Sequence, residues 1–125
     1  MGLTHVRGMI CNSQDPVRNF EETLLVDTGA LFSFIPRSKL AAIGITATRR
    51  ETFRQMDGSL IQRDVGRALV KVAGKEEVVL VVLGEAGDAS VLGVVALEAL
   101  GLGLDPMSGE LRPMTLLAVS AFPKA

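Results

Sequence analysis

A carboxylate set between two apolar runs constrains this chain more than any other feature. Leu24, Leu25 and Val26 lead straight into Asp27, Thr28 and Gly29, and a β-branched and aromatic run through Leu31, Phe32, Phe34 and Ile35 follows at once. The pattern predicts a strand, a tight turn carrying the carboxylate, and a second strand closed by Pro36. A carboxylate held there loses water, so it must be hydrogen-bonded or share a proton. Thr28 is placed to pin the turn through its hydroxyl. Gly29 lets backbone approach the carboxylate with no side chain in the way.

The remainder of the chain must bury that turn with aliphatic residues. Hydrophobic residues make up 48% of the 125 positions and aromatics 4%, with no Trp or Tyr, so the core is built from Val, Leu, Ile and Ala. Residues 1–125 are read as one domain, long enough to hold a core without staples. With 13 basic and 14 acidic residues the net charge is −1, which gives a polyanion no foothold and argues against nucleic acid. Cys11 and His5 each occur once. No internal disulfide or cysteine-based metal site can therefore form, and Ser-His-Asp machinery loses most of its parts. On a straight strand Cys11 and His5 stand roughly 20 Å apart, too far to act together, and Cys11 reads as a half-buried strand residue. No segment has the length of a membrane span and no signal peptide is seen, so a cytoplasmic protein without cofactor or membrane partner is expected.

Taken in order, residues 3–12 read as a strand, residues 12–16 as a turn, and residues 17–26 as the returning arm. A short helix is expected over residues 36–44, stopped by Gly44. Residues 45–56 form an exposed basic strand, and Asp57-Gly58 is a two-residue hairpin signal of the type I′ kind. Residues 59–72 return, Gly74-Lys75 turns again, and residues 76–83 read as a buried strand. After a polar break at residues 84–88, Val91-Leu92-Gly93 precedes an apolar stretch at helical spacing. Residues 110–114 read as another strand, and residues 115–122 as a final apolar segment.

Two of these stretches carry a resemblance. Asp27-Thr28-Gly29-Ala30 after an apolar strand, followed much later by Val91-Leu92-Gly93 and a helix, resembles the two signatures of retroviral-type aspartic proteases (retropepsins), in the same order. With Gly84-Glu85 and Leu97-Glu98-Ala99-Leu100-Gly101-Leu102, the whole looks like the small prokaryotic branch of that family. The resemblance implies an all-β, closed-barrel-like domain with one or two short helices. It also implies an endopeptidase in which an Asp-activated water hydrolyses peptide bonds. Asp27 is the implied catalytic residue, in an active-site turn with Thr28, Gly29 and Ala30. A flap is implied near Met56, Asp57, Gly58 and Ser59, with Arg63-Asp64 as an alternative. Val91, Leu92 and Gly93 form the second signature, with the glycine passing backbone beneath the turn; no metal is implied. Leu31 departs from viral members, which usually carry a small polar or acidic residue there, and this bears on how a peptide is positioned.

No other acid repeats the setting of Asp27. Asp15 and Asp105 precede prolines, Asp57 sits in a glycine turn, and Asp64 and Asp88 lie in polar stretches. The second carboxylate is then expected from a second copy, in a homodimer acting on a peptide or protein substrate. The terminal residues 1–4 and 115–122 are the segments available for an intersubunit sheet. Two other classes remain open: a peptide-binding module of the same fold with weak or no catalysis, and an assembly protein whose dimer surface is the function.

Overall fold

The first hairpin supplies the frame of the computed structural model, which describes residues 3–114. Strands β1 (Thr4–Asn12) and β2 (Asp15–Val26) pair antiparallel from Thr4 opposite Val26 to Cys11 opposite Asn19. The turn is narrower than the composition implies, because only Ser13 and Gln14 separate the strands. Asn12 closes it by accepting the Gln14 N–H on Oδ1 at 2.9 Å.

After β2 the chain crosses a loop before β3 (Ser33–Pro36), so the second strand starts later than the apolar run at Leu31 implies. Then come α1 (Arg37–Ala42), β4 (Arg49–Arg54), β5 (Leu60–Val72), β6 (Lys75–Gly84), β7 (Val91–Leu92) and α2 (Val94–Leu100). A separate two-stranded ribbon, β8 (Leu102–Leu104) and β9 (Leu111–Pro113), completes the described chain. The main sheet runs β1-β2-β7-β3-β6-β5-β4, and β1 also pairs β5 through Met9 opposite Lys71. Six strands thus close into a barrel-like ring, with β4 attached outside on β5. Closure pairs edges that an open sheet would leave free. The class is all-β with two short helices, and among the described residues no helix is long and apolar enough to cross a membrane.

The ring is filled by aliphatic side chains: Ile10, Leu24, Ile35, Leu40, Leu83 and Leu92 are all buried. Cys11 is also fully buried rather than half-buried, since the β1–β5 pairing covers it. Burial pushes its thiol up, which leaves it un-ionised and unreactive. Strand β6 is buried only from Val79 onward, because its first residues form the exposed end of a hairpin.

Two turns exchange the roles their sequences imply. In the β4–β5 hairpin, Gln55 N–H donates to Ser59 O and Gly58 N–H to Gln55 O. Of the loop residues only Gly58 has a positive φ, +87°. Asp57 is therefore not in the left-handed region, and the turn is a three-residue loop of Met56, Asp57 and Gly58 instead of type I′. The two-residue loop with both φ values positive is Ala73-Gly74, at 50° and 79°, between the paired Val72 and Lys75.

Candidate active site

The turn after β2 is held by its own carboxylate. Asp27 Oδ1 accepts the Gly29 N–H at 2.8 Å, and Asp27 O accepts the Ala30 N–H at 3.1 Å. A Cβ on Gly29 would lie 3.2 Å from that Oδ1, so the glycine does keep a close approach open. Thr28 is exposed, and its hydroxyl makes no hydrogen bond among the described residues; the carboxylate does the pinning assigned to it. Asp27 itself is half-buried in the single chain.

Beneath the turn, β7 is wedged between the two strands that the turn connects. It runs parallel to β2, with Leu25 opposite Val91, and antiparallel to β3, with Phe34 opposite Val91. The Asp27 N–H donates to Leu92 O at 3.1 Å, and Leu25 N–H to Ser90 O at 3.0 Å. Helix α2 has no side-chain cap at its N-terminus. Its first N–H groups are satisfied by the loop instead: Val94 donates to Ala30 O at 2.8 Å and Val95 to Leu31 O at 3.0 Å. The buried Ser33 hydroxyl accepts the Gly93 N–H at 2.9 Å. A Cβ on Gly93 would fall 2.7 Å from the Phe32 carbonyl and 2.9 Å from Ala30 O, so only glycine fits that crossing.

A second polar cluster fixes the far side of this assembly. Glu22 on β2 is 8% exposed; it accepts Lys39 Nζ at 2.6 Å and the Ser90 hydroxyl at 2.7 Å. The three groups tie β2, α1 and the residue before β7 together. Burial pushes the Glu22 carboxyl up, but Lys39 and the Ser90 hydroxyl outweigh burial and hold it below the usual glutamate range. Because the folded value lies below the unfolded one, its stabilisation is complete above about pH 4.3 and drains away as pH falls through the folded value. Glu22→Gln should cost about 1–2 kcal/mol at pH 7. The difference should close toward pH 3, as urea melts of both proteins at the two pH values will read out.

The turn opens onto a groove of about 690 Å³. Asp27, Gly29 and Ala30 line it, together with Val91 from the second signature and Met56 from the hairpin tip. Leu92 and Gly93 lie underneath as support. Asp57, Gly58 and Ser59 are exposed at the tip and do not line the groove. The Asp57 carboxylate is occupied by the Ser59 hydroxyl at 2.6 Å and N–H at 2.8 Å, bonds that hold it below the usual aspartate range.

Among the groove residues not assigned a role from the sequence are three phenylalanines and Asp88. Phe53 on β4 meets Phe32 edge-on at 5.6 Å between centroids and Phe34 at 6.1 Å, and all three line the groove. Phe32 and Phe34 were recoverable, since positions two apart share a face; the meeting with Phe53 was not. Asp88 is the other carboxylate on the groove wall, and it is engaged by Arg63 through Nε at 2.9 Å and Nη2 at 3.1 Å. Those bonds hold the Asp88 carboxyl below the usual range. Asp64, next to Arg63 in the chain, pairs with Arg37 and Arg50 and stays out of the groove. Asp105 is held by Arg112.

No family model and no curated protein matches this sequence. Among solved structures, the chain is similar to a retropepsin-like aspartic protease from Rickettsia conorii. The TM-score is 0.48 and the identity 22%, over 84% of this chain and 89% of that one.

Proposed function

We propose that residues 1–125 form one aspartic endopeptidase domain, active as a homodimer in which two copies of Asp27 face each other across a two-fold axis. The observation that carries this is the state of the groove's carboxylates. Asp88 is paired bidentately with Arg63, whereas the Asp27 carboxylate accepts only the Gly29 N–H and has no cationic partner among the described residues. One available carboxylate cannot serve as base and acid together. Two at about 3 Å hold one proton between them, so the ionised group takes a proton from water while the protonated one donates to the scissile carbonyl. The resulting tetrahedral species then breaks its C–N bond as the amine is protonated, with no covalent enzyme intermediate.

A two-fold axis supplies the second group without further sequence, through an isologous interface. Of the terminal segments assigned to that interface, residues 1–4 and 115–122, residues 1–2 and 115–122 lie outside the described residues, while Thr4 opens β1 and pairs with Val26 of its own chain. The β4–β5 hairpin, with Met56 through Ser59 at its tip, serves as the flap, and the apolar groove takes the peptide. Sedimentation at micromolar concentration, beside a peptide-library digest from pH 3 to pH 8, tests the reading. A dimer that cleaves is expected. Cleavage by a strict monomer would overturn the shared site, and binding without cleavage would leave the peptide-binding module.

A further inference from the structure

The turn that carries Asp88 closes on itself. Glu85 N–H donates to Asp88 Oδ2 at 2.8 Å, Asp88 N–H donates to Glu85 O at 3.0 Å, and Gly87 takes a φ of +91° between them. From this turn Gly87, Asp88 and Ala89 reach the groove wall. Arg63 comes from β5, the strand that also carries the β4–β5 hairpin. In the β5–β6 register Val65 stands opposite Val82, and two residues further Arg63 draws level with Gly84, where the turn begins. All three nitrogens of its guanidinium are engaged: Nε and Nη2 to the two Asp88 oxygens, and Nη1 to Gln62 O at 2.9 Å. Both side chains are 19% exposed.

We infer that Arg63 and Asp88 are positioning residues that set the width of the groove, and through it the bulk of the apolar peptide side chain the groove accepts. The inference rests on the peptide-groove reading above. The pair joins two separate parts of the groove wall, the hairpin with Phe53 and Met56 and the turn with Gly87 and Ala89. A planar, bidentate bond fixes distance and orientation together. Removing one partner leaves the other charge half-buried and unpaired, so the turn must shift to solvate it. Both Asp88 oxygens are already engaged by Arg63 and Oδ2 also by the Glu85 N–H, so its main effect is exerted through the position of Gly87 and Ala89. Small residues there leave room for a bulky apolar group beside the three phenylalanines.

The test uses the full chain, the near-isosteric Asp88→Asn, Arg63→Gln and the double variant. Decapeptides identical except for one apolar position (Ala, Leu or Phe) are the probes. Selectivity between the best and worst side chain should fall roughly fivefold or more in each variant. The change should sit in KM with kcat within about twofold, and the double variant should be no worse than either single one. The pH profile of kcat should not move, because Asp27 is untouched. Unchanged selectivity, or a fall in kcat with KM intact, overturns the inference. If Arg63→Gln melts below the assay temperature, Asp88→Asn decides alone. If the intact chain binds these peptides without cutting them, the catalytic reading fails. Fluorescence anisotropy with the same labelled peptides then reads the selectivity instead. If it neither binds nor cuts, both fail.

Discussion

Asp27→Asn should abolish peptide hydrolysis while the chain stays folded and keeps its association state. The substitution is nearly isosteric, and Asn retains an oxygen at the Oδ1 position to accept the Gly29 N–H now 2.8 Å away. The turn, the Ala30 bond to Asp27 O, and the contacts to α2 do not depend on charge. What disappears is proton transfer at both steps, since each subunit of the proposed dimer loses its group. General acid–base catalysis contributes about 10²–10⁴-fold per group, so a fall of at least roughly a thousandfold is expected. Melting temperature and sedimentation should stay close to those of the parent. At pH values where the shared proton would be lost, removing two facing carboxylates also removes their repulsion, so there the dimer should be at least as tight. Hydrolysis that persists in purified Asp27→Asn protein would end the assignment of Asp27.

Gly93→Ala should be the most destabilising single methyl in the site. The new Cβ would sit 2.7 Å from the Phe32 carbonyl carbon and oxygen and 2.9 Å from Ala30 O, all of them backbone atoms that no rotamer change can move. The glycine's φ of −96° and ψ of 177° are ordinary, so the penalty comes from space alone and not from backbone preference. Overpacking of this kind costs about 1–3 kcal/mol, a fall in melting temperature on the order of 10 °C for a chain of this size. The displaced atoms belong to the loop that carries Asp27 and accepts the first N–H groups of α2. Turnover should therefore fall further than the loss of folded protein explains. Gly58→Ala is the matched control: its φ is +87° but nothing lies within 4 Å, so it should show modest strain without a clash. Equal melting temperatures for Gly93→Ala and the parent would mean the loop can yield, and that Gly93 does not support Asp27.

Much of this architecture is legible along the chain because it is decided over short distances. Alternation and β-branched runs placed β1, β2 and β6, and the aliphatic composition dictated a core without aromatics. Asp27 was marked by its setting, a charged residue where two apolar runs leave no room for one. Gly93 was marked only by the resemblance of Val91-Leu92-Gly93 to a family signature, and the structure supplies the close contacts that require a glycine. Turn type was less legible, since it depends on how many residues the strand register leaves between paired positions. Val72 opposite Lys75 leaves two, so Ala73-Gly74 takes the two-residue form; Gln55 bonded to Ser59 leaves three, so Asp57-Gly58 does not.

Only the tertiary structure decided which distant segments meet. Met9 opposite Lys71 closes the ring, and β7, two residues long, finds both its partners across more than fifty positions of chain. No local preference encodes such pairings; they follow from which edges remain free once the hairpins have formed. The same holds for the groove. Phe53 reaches Phe32 and Phe34 because β4 is carried on β5, and Arg63 reaches Asp88 because β5 runs past the end of β6. Asp88 reads in sequence as one more acid in a polar stretch. Folding brings an arginine to it and, among the described residues, leaves Asp27 without one, and on that difference the proposed role of Asp27 rests.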